Sequence, residues 1–375
     1  MHVAHVHCQI DAYARPAEEL LDAWISARIV AEAAEGAGAQ VTVLIASRHT
    51  ADFTKNGVRY QFLPERQLPG RRGAGMEPWK LAREVAAIKP DLVHLHGLGF
   101  PIHTHAICQT GLPVLAQDHA NRPAQRMAWL RRWGLRQVRA LAFTSAEQAL
   151  PMRRSGELPE HAAIFPIPEC STDFTAGDQA SAREQSDVAG SPAVLWAGHL
   201  APGKDPVTAL KAFQKARQSE PKLQLWCAFG TDALLPELDA IIKAEPDLRS
   251  HVHLLGRLPH TEIEALCRAC DLFISTSHAE GSGYALIEAM ACGLVPVVSD
   301  IPAFRGLTGN GAVGQLAPPG DVDAFCDAIV HATEDWRGGA RDEVLEHFDS
   351  HLAKDAIGRA LLQAYNRVIA GEDAA

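Results

Sequence analysis

The sequence lacks the features that would mark a membrane-spanning, disulfide-built or nucleic-acid-binding chain. No apolar run approaches the length of a membrane span. The eight cysteines are scattered from Cys8 to Cys326, which suits reduced thiols better than a disulfide framework. Cys267-x2-Cys270 has metal-like spacing, but no second pair completes a site, so buried thiols are expected. Positive charge is not in excess: the net charge of -10 argues against general nucleic-acid binding. His2, His5 and His7 interrupt the first apolar run, so no secretory signal is expected. The expected location is cytoplasmic, with peripheral contact at the inner membrane face left open.

What is present is enough chain for two domains with their own cores, 375 residues of which 47% are hydrophobic. The most informative stretch runs from Asp271 to Ser299. Asp271–Ser277 reads as a buried parallel strand. Tyr284–Cys292 reads as a helix closed by Gly293, and Val295–Ser299 as a second strand. Gly281 and Gly283 let the backbone approach a ligand closely, and Ser282 lies between them. The free N–H groups at the helix start suit a phosphate. Glu280 precedes the helix, and Glu288 lies about two turns along. Carboxylates there would accept hydrogen bonds from hydroxyls. Phosphate donors beside hydroxyl acceptors match the chemistry of a nucleotide sugar.

Glu280-x7-Glu288, with Glu-Gly-Ser-Gly and Glu-Ala-Met-Ala-Cys-Gly, closely resembles the signature of the large retaining glycosyltransferase family that includes sucrose synthases and bacterial mannosyltransferases (group 1, family 4). The resemblance implies an α/β GT-B fold, two Rossmann-like domains facing across a cleft. It implies that Glu280 contacts the donor sugar and Glu288 the ribose, that the diphosphate lies near the N–H groups of Gly283–Tyr284, and that Gly281 and Ser282 also belong to the donor site. No metal and no other cofactor are implied; the nucleoside diphosphate-sugar is a substrate. Gly198-His199-Leu200 through Lys204-Asp205 is similar to the family's Gly-Arg-Leu…Lys-Asp clamp. Lys204 fits the clamp, whereas His199 stands at the usual arginine. Gly256-Arg257-Leu258 corresponds to the segment that packs beside the base in relatives. Pro90–Gly97 looks like the family's Pro-Asp-x-x-His-x-His pattern, which makes His96 a pocket residue. His119, after the strand Leu112–Gln117, takes the place of a histidine near the reacting sugar.

The chain also departs from the family. The loop Gln9–Pro16 lacks the glycine pair found in many relatives; Arg15 is the candidate substitute. Pro168-Glu169 replaces the usual Pro-Asn-Gly turn. His94 and His96, with His103 and His105 nearby, raise zinc, but no carboxylate or cysteine cluster completes a site. Asp321-Val322-Asp323 is read as a helix cap rather than a metal motif, and Gly309–Gly314 as a turn.

Domain limits are expected at 1–168 (acceptor domain), 169–191 (linker), 192–351 (donor domain) and 352–375 (a helix crossing back to the first domain). Ala17–Ala34 reads as one amphipathic helix and Gln67–Gly75 as a polar loop. Asn121–Ala140 reads as a basic, aromatic helix, either solvated or resting on anionic lipid; the contact segment is 122–139. The expected function is transfer of a sugar from a nucleoside diphosphate-sugar to a carbohydrate, lipid-linked or small-molecule hydroxyl. His119, Glu280 and Lys204 are the candidate catalytic residues. The alternatives are a degenerate relative that binds the nucleotide sugar without catalysis, and a sugar-nucleotide epimerase of the same fold.

Overall fold

The computed structural model describes residues 1–64, 77–119, 123–124 and 126–371. The expected loop Gln67–Gly75, Arg122 of the basic stretch and the last four residues lie outside them. The chain divides into two compact units, 1–171 with 354–375, and 172–353.

The first unit is built on β1 (His2–His7), β2 (Gln40–Ser47), β3 (Ala51–Lys55), β4 (Val58–Pro64), β5 (Leu92–His96), β6 (Val114–Gln117), β7 (Ala140–Phe143) and β8 (Ala163–Pro166). Their order is β3-β4-β2-β1-β5-β6-β7-β8. Every pair is parallel except β3 with β4. β2 is buried from Val41 to Ser47, as expected where helices cover both faces of a parallel sheet. β3 is not in the sequence reading. It alternates half-buried and exposed residues, as an edge strand does, and is joined to β4 by Asn56-Gly57, both at positive φ. That dipeptide is a strong hairpin signal.

The helix expected over Ala17–Ala34 is two helices, Ala17–Ala23 and Ile25–Gly36. Trp24 leaves the helical region (φ -104°, ψ 62°), and its ring lies 6.3 Å from that of His7. Among the described residues of the basic stretch, helix is confined to Ala128–Leu135, preceded by Met127 in the left-handed region. Arg131 does not face solvent there; it pairs at 2.7 Å with the fully buried Glu157. The last helix, Lys354–Ala370, belongs to the first unit and packs on Ile25–Gly36.

The second unit has β9 (Ala193–Gly198), β10 (Gln224–Phe229), β11 (Val252–Gly256), β12 (Leu272–Ser275), β13 (Val295–Ser299) and β14 (Gln315–Ala317). All are parallel, in the order β11-β10-β9-β12-β13-β14. Of the polar stretch expected as a linker, 172–191 is part of this unit and carries the helix Gln179–Ser186. Polar bonds dock that helix. Arg183 bonds Asp271 at 2.5 Å and Gln179 bonds it at 2.9 Å. Asp271 also accepts from the backbone N–H of Ala193 at 2.7 Å. This one carboxylate, 1% exposed, therefore ties the docked helix to the starts of β9 and β12. Burial, the dominant influence, holds its pKa above the ordinary carboxylate value. Asp321 caps the helix Val322–Arg337 by accepting from the N–H groups of Asp323 and Ala324, and 309–314 is a turn before β14.

Asp271→Ala leaves the Ala193 N–H without its acceptor and takes from Arg183 its carboxylate partner, leaving it the Ala269 and Gly190 carbonyls. Removing one partner of a buried pair costs about 3–5 kcal/mol, and Arg183 is partly exposed, so a loss of about 3 kcal/mol is expected in urea unfolding. A loss below about 1 kcal/mol would contradict this account of the docked helix.

Candidate active site

In the second unit the candidate residues gather at the carboxyl ends of β9 and β12, which are neighbours in the sheet. After β9 the chain passes His199 and turns through Pro202–Lys204. It then enters the helix Pro206–Ala216, which Asp205 caps. After β12 it runs from Thr276 to Gly283. The two connections are stitched together: the His278 N–H donates to the Gly203 carbonyl at 3.0 Å, and the Thr276 hydroxyl donates to the Asp205 carbonyl at 2.7 Å. Lys204 forms an ion pair with Glu280, whose same oxygen accepts from the Ser277 hydroxyl at 2.7 Å. The lysine is partly exposed and the carboxylate mostly covered.

The helix Tyr284–Ala291 starts after Gly283, which takes φ +62°. A Cβ on Gly283 would stand 2.5 Å from Leu307 Cδ1, so only glycine fits both the angle and the space. Gly281 and Ser282 just before it are half-buried. Glu288 is 5% exposed and pairs with the ring of His260, the first residue of the helix His260–Ala269. The His260 ring lies 4.5 Å from that of Phe174 and near-parallel to that of Tyr284. The bond to Glu288 raises its pKa above the ordinary value. Gly256 ends β11 at φ +72°; Arg257 is exposed and Leu258 rests against the core. The exposed His199 lies against Gly230, where a Cβ would meet its ring at 3.0 Å.

In the first unit a second group forms. β1 and β5 pair with His5 opposite His94 and His7 opposite His96. Strand alternation puts all four rings on one face. His96 stacks on His7 at 4.1 Å and on His94 at 4.3 Å. Burial removes the hydration of their charged forms, so His7 and His94 fall to about 3 and His5 and His96 well below the usual histidine value. His119 follows β6. Its Nε2 is 3.1 Å from His96 Nδ1, and its Nδ1 is 2.6 Å from Glu169 Oε1. His96 and His119 are thus brought together with Glu169, which sequence reading had noted only as a lost turn.

Arg15 is held locally by Asp11, through its backbone N–H at 2.8 Å and its guanidinium at 3.1 Å, and lies over the Tyr13 ring. His103 and His105 do not join His94 and His96. They stand on the helix Pro101–Cys108, with His105 against Trp133 at 4.0 Å. The histidine that does join them is His5. His5, His94 and His96 each bring a nitrogen within 4.8 Å of the others, the one such metal-ligand grouping among the described residues. Their nitrogens bond chiefly to each other and to the Tyr365 hydroxyl. Cys267 and Cys270 are buried, and their thiol pKa values are raised.

Sequence reasoning missed His260 and Glu169 as site residues. His260 lies 28 residues before Glu288, with no local pattern joining them. Replacing Glu288 with glutamine removes the influence that raises His260. A histidine titration followed by NMR is expected to show a midpoint above 6.5 in the native chain and a lower one in the variant. The pair's contribution to stability is present below the unfolded value of 6.5 and is lost as pH rises through the higher folded value. The stability gap between native chain and variant should therefore shrink over that window.

Residues 178–348 match the family described as Glycosyl transferases group 1, and residues 24–166 match Glycosyltransferase Family 4. The chain is 27% identical over 292 residues to the GDP-mannose:cellobiosyl-diphosphopolyprenol alpha-mannosyltransferase of Xanthomonas oryzae pv. oryzae, covering 74% of each. Among solved structures it resembles sucrose-phosphate synthase from Thermosynechococcus elongatus, with TM-score 0.69, 18% identity and coverage of 99% of this chain and 100% of that one. A glycosyltransferase from Rickettsia africae gives TM-score 0.72 at 13% identity, with 98% of both chains covered. Enzymes of this fold typically act without a metal cofactor. The chain belongs to the glycosyltransferases of group 1 and family 4, nucleotide-sugar-dependent enzymes of the GT-B fold.

Proposed function

We propose that this transferase moves a sugar, with retention of anomeric configuration, from a nucleoside diphosphate donor to an acceptor hydroxyl. The observation that carries the reading is the pairing of Lys204 with Glu280 beside the N-terminus of the helix that buries Glu288. A diphosphate would take over Lys204 and the N–H groups around Gly283 and Tyr284, offsetting the charge that develops on the leaving group. Glu280, released from the lysine, would accept from hydroxyls of the donor sugar. Glu288 would accept from the ribose, with His260 holding it oriented. Gly256, Arg257 and Leu258 would flank the base, and His199 would add a second contact to the phosphates. His119 would donate to a sugar hydroxyl, with His96 behind it; Arg15 would approach from the loop after β1. In the transfer, the bond from the anomeric carbon to the phosphate oxygen breaks. The acceptor oxygen bonds to the same face, and its proton passes to the departing phosphate.

The likeness to a mannosyltransferase makes GDP-mannose the first donor to test, and a lipid-linked diphosphate oligosaccharide the first acceptor. An acceptor of that kind suits contact with a membrane surface. Met127 and Trp129, 56% and 66% exposed, stand beside the exposed Arg126 and Arg132, a combination that favours an anionic headgroup layer. No helix among the described residues is long and apolar enough to cross a membrane.

A donor at one hundred times its Kd should stabilise the native chain by about 2.7 kcal/mol, read as a rise in Tm against a panel of GDP-, UDP-, ADP- and dTDP-sugars. Glu288→Ala should abolish the rise. Lys204→Ala should lower turnover by about 10²–10³-fold, the usual cost of losing one such donor. No rise with any donor would favour a degenerate binder or an acceptor-dependent site. Sedimentation with vesicles containing anionic lipid should retain the native chain and lose Trp129→Ser; equal retention would remove the membrane contact.

A further inference from the structure

The buried histidines of the first unit do more than pack. Starting at Glu169, an unbroken row of hydrogen-bonding distances leads inward. Glu169 Oε1 is 2.6 Å from His119 Nδ1. His119 Nε2 is 3.1 Å from His96 Nδ1, and His96 Nε2 is 3.2 Å from His5 Nδ1. His5 Nε2 is 3.1 Å from the Tyr365 hydroxyl, which is 2.7 Å from His94 Nδ1. The outer end is partly exposed and every group from His96 inward is buried.

Each link needs one donor and one acceptor, and a neutral imidazole has one of each. The choice at one ring therefore dictates the choice at the next. The carboxylate of Glu169 accepts, so His119 carries hydrogen on Nδ1. If His119 is neutral, its Nε2 must accept from His96 Nδ1. His96 Nε2 then accepts from His5 Nδ1, His5 Nε2 accepts from the tyrosine, and the tyrosine oxygen accepts from His94 Nδ1. This filling leaves His94 Nε2 without hydrogen, buried and unpartnered, and Gln117 Oε1 is a second buried acceptor without a partner. If His119 takes one further proton from solvent, onto Nε2, the direction reverses throughout. His96, His5 and His94 then all carry hydrogen on Nε2. His94 becomes a donor next to Gln117, whose side chain lies within its interaction range. The two fillings differ by that single proton, and the charge stays on His119 beside Glu169.

We propose that Glu169, His119, His96, His5, Tyr365 and His94 form one proton-ordered row that couples the protonation of His119 to the tautomers of the buried histidines. His96, His5, Tyr365 and Glu169 are then positioning residues for His119, the group assigned above to a sugar hydroxyl; the functional value of the row rests on that assignment. The low pKa values of the buried rings fit this reading, because a proton taken up by the row stays at its outer end. The titratable groups acting on His119 are Glu169 after β8, His7 on β1, and His94 and His96 on β5.

Long-range proton–nitrogen NMR on the native chain reports which ring nitrogen of each histidine carries hydrogen. His96, His5 and His94 are expected to share one tautomer at every pH, Nδ1–H while His119 is neutral and Nε2–H once it is doubly protonated. Different tautomers on His96 and His5 at any pH would overturn the proposal without recourse to a variant. Tyr365→Phe cuts the row, so His94 should stop following the others. The His119 midpoint should fall by about 0.5–1 pH unit, the size of one buried hydrogen bond. A His94 that still follows, with an unmoved His119 midpoint, would also overturn it. The rate of sugar transfer against pH separates the two claims. A limb that moves with the NMR midpoint supports both. A shifted midpoint with an unchanged rate profile upholds the row and removes His119 from the reaction.

Discussion

The candidate donor site depends on one interaction, the ion pair between Lys204 and Glu280. It joins two connections that leave neighbouring strands at their carboxyl ends, the place where open α/β sheets bind ligands. Each partner solves the other's problem. An uncompensated lysine or carboxylate, partly withdrawn from water, would be costly; paired, the two compensate each other close to where a phosphate and a sugar would meet. The backbone bond from His278 to Gly203 and the hydroxyl bond from Thr276 to the Asp205 carbonyl hold the two connections in register, so the side chains need little reorganisation. A donor would exchange this pair for two better-matched partners, which makes binding a substitution of one charge contact for others rather than the burial of new charge.

What was legible in the sequence follows the range of the physics involved. The strand–helix–strand around Glu280 and Glu288 could be read because burial pattern, glycines and helix length all act within a few residues. The helix over residues 179–186 could not be read, because it carries almost no apolar stripe. It docks through Arg183 and Gln179 onto a carboxylate some 90 residues away, and periodicity is silent about such bonds. The break at Trp24 was hidden for the opposite reason, since an apolar stripe runs through it without interruption. The hairpin at Asn56-Gly57 was legible and was passed over, because the edge strand before it is half-exposed and polar. Glu169 and His260 lay beyond reach, since each acquires meaning only from a histidine or carboxylate brought to it by the fold.

The four histidines that β1 and β5 set on one face, His5, His7, His94 and His96, show how a local pattern gains a consequence the pattern does not contain. Alternation along each strand fixes which face they share, and the parallel register sets His5 against His94 and His7 against His96. Neither fact says that the rings must agree on a tautomer. That requirement comes from a carboxylate at the outer end and a tyrosine on the last helix at the inner one. A buried ring has no water to supply a missing donor or acceptor, so a mismatch anywhere leaves an unpaired group at a cost of about 1–3 kcal/mol. The penalty is borne collectively, and it links the protonation of one partly exposed histidine to hydrogen positions deep in the sheet.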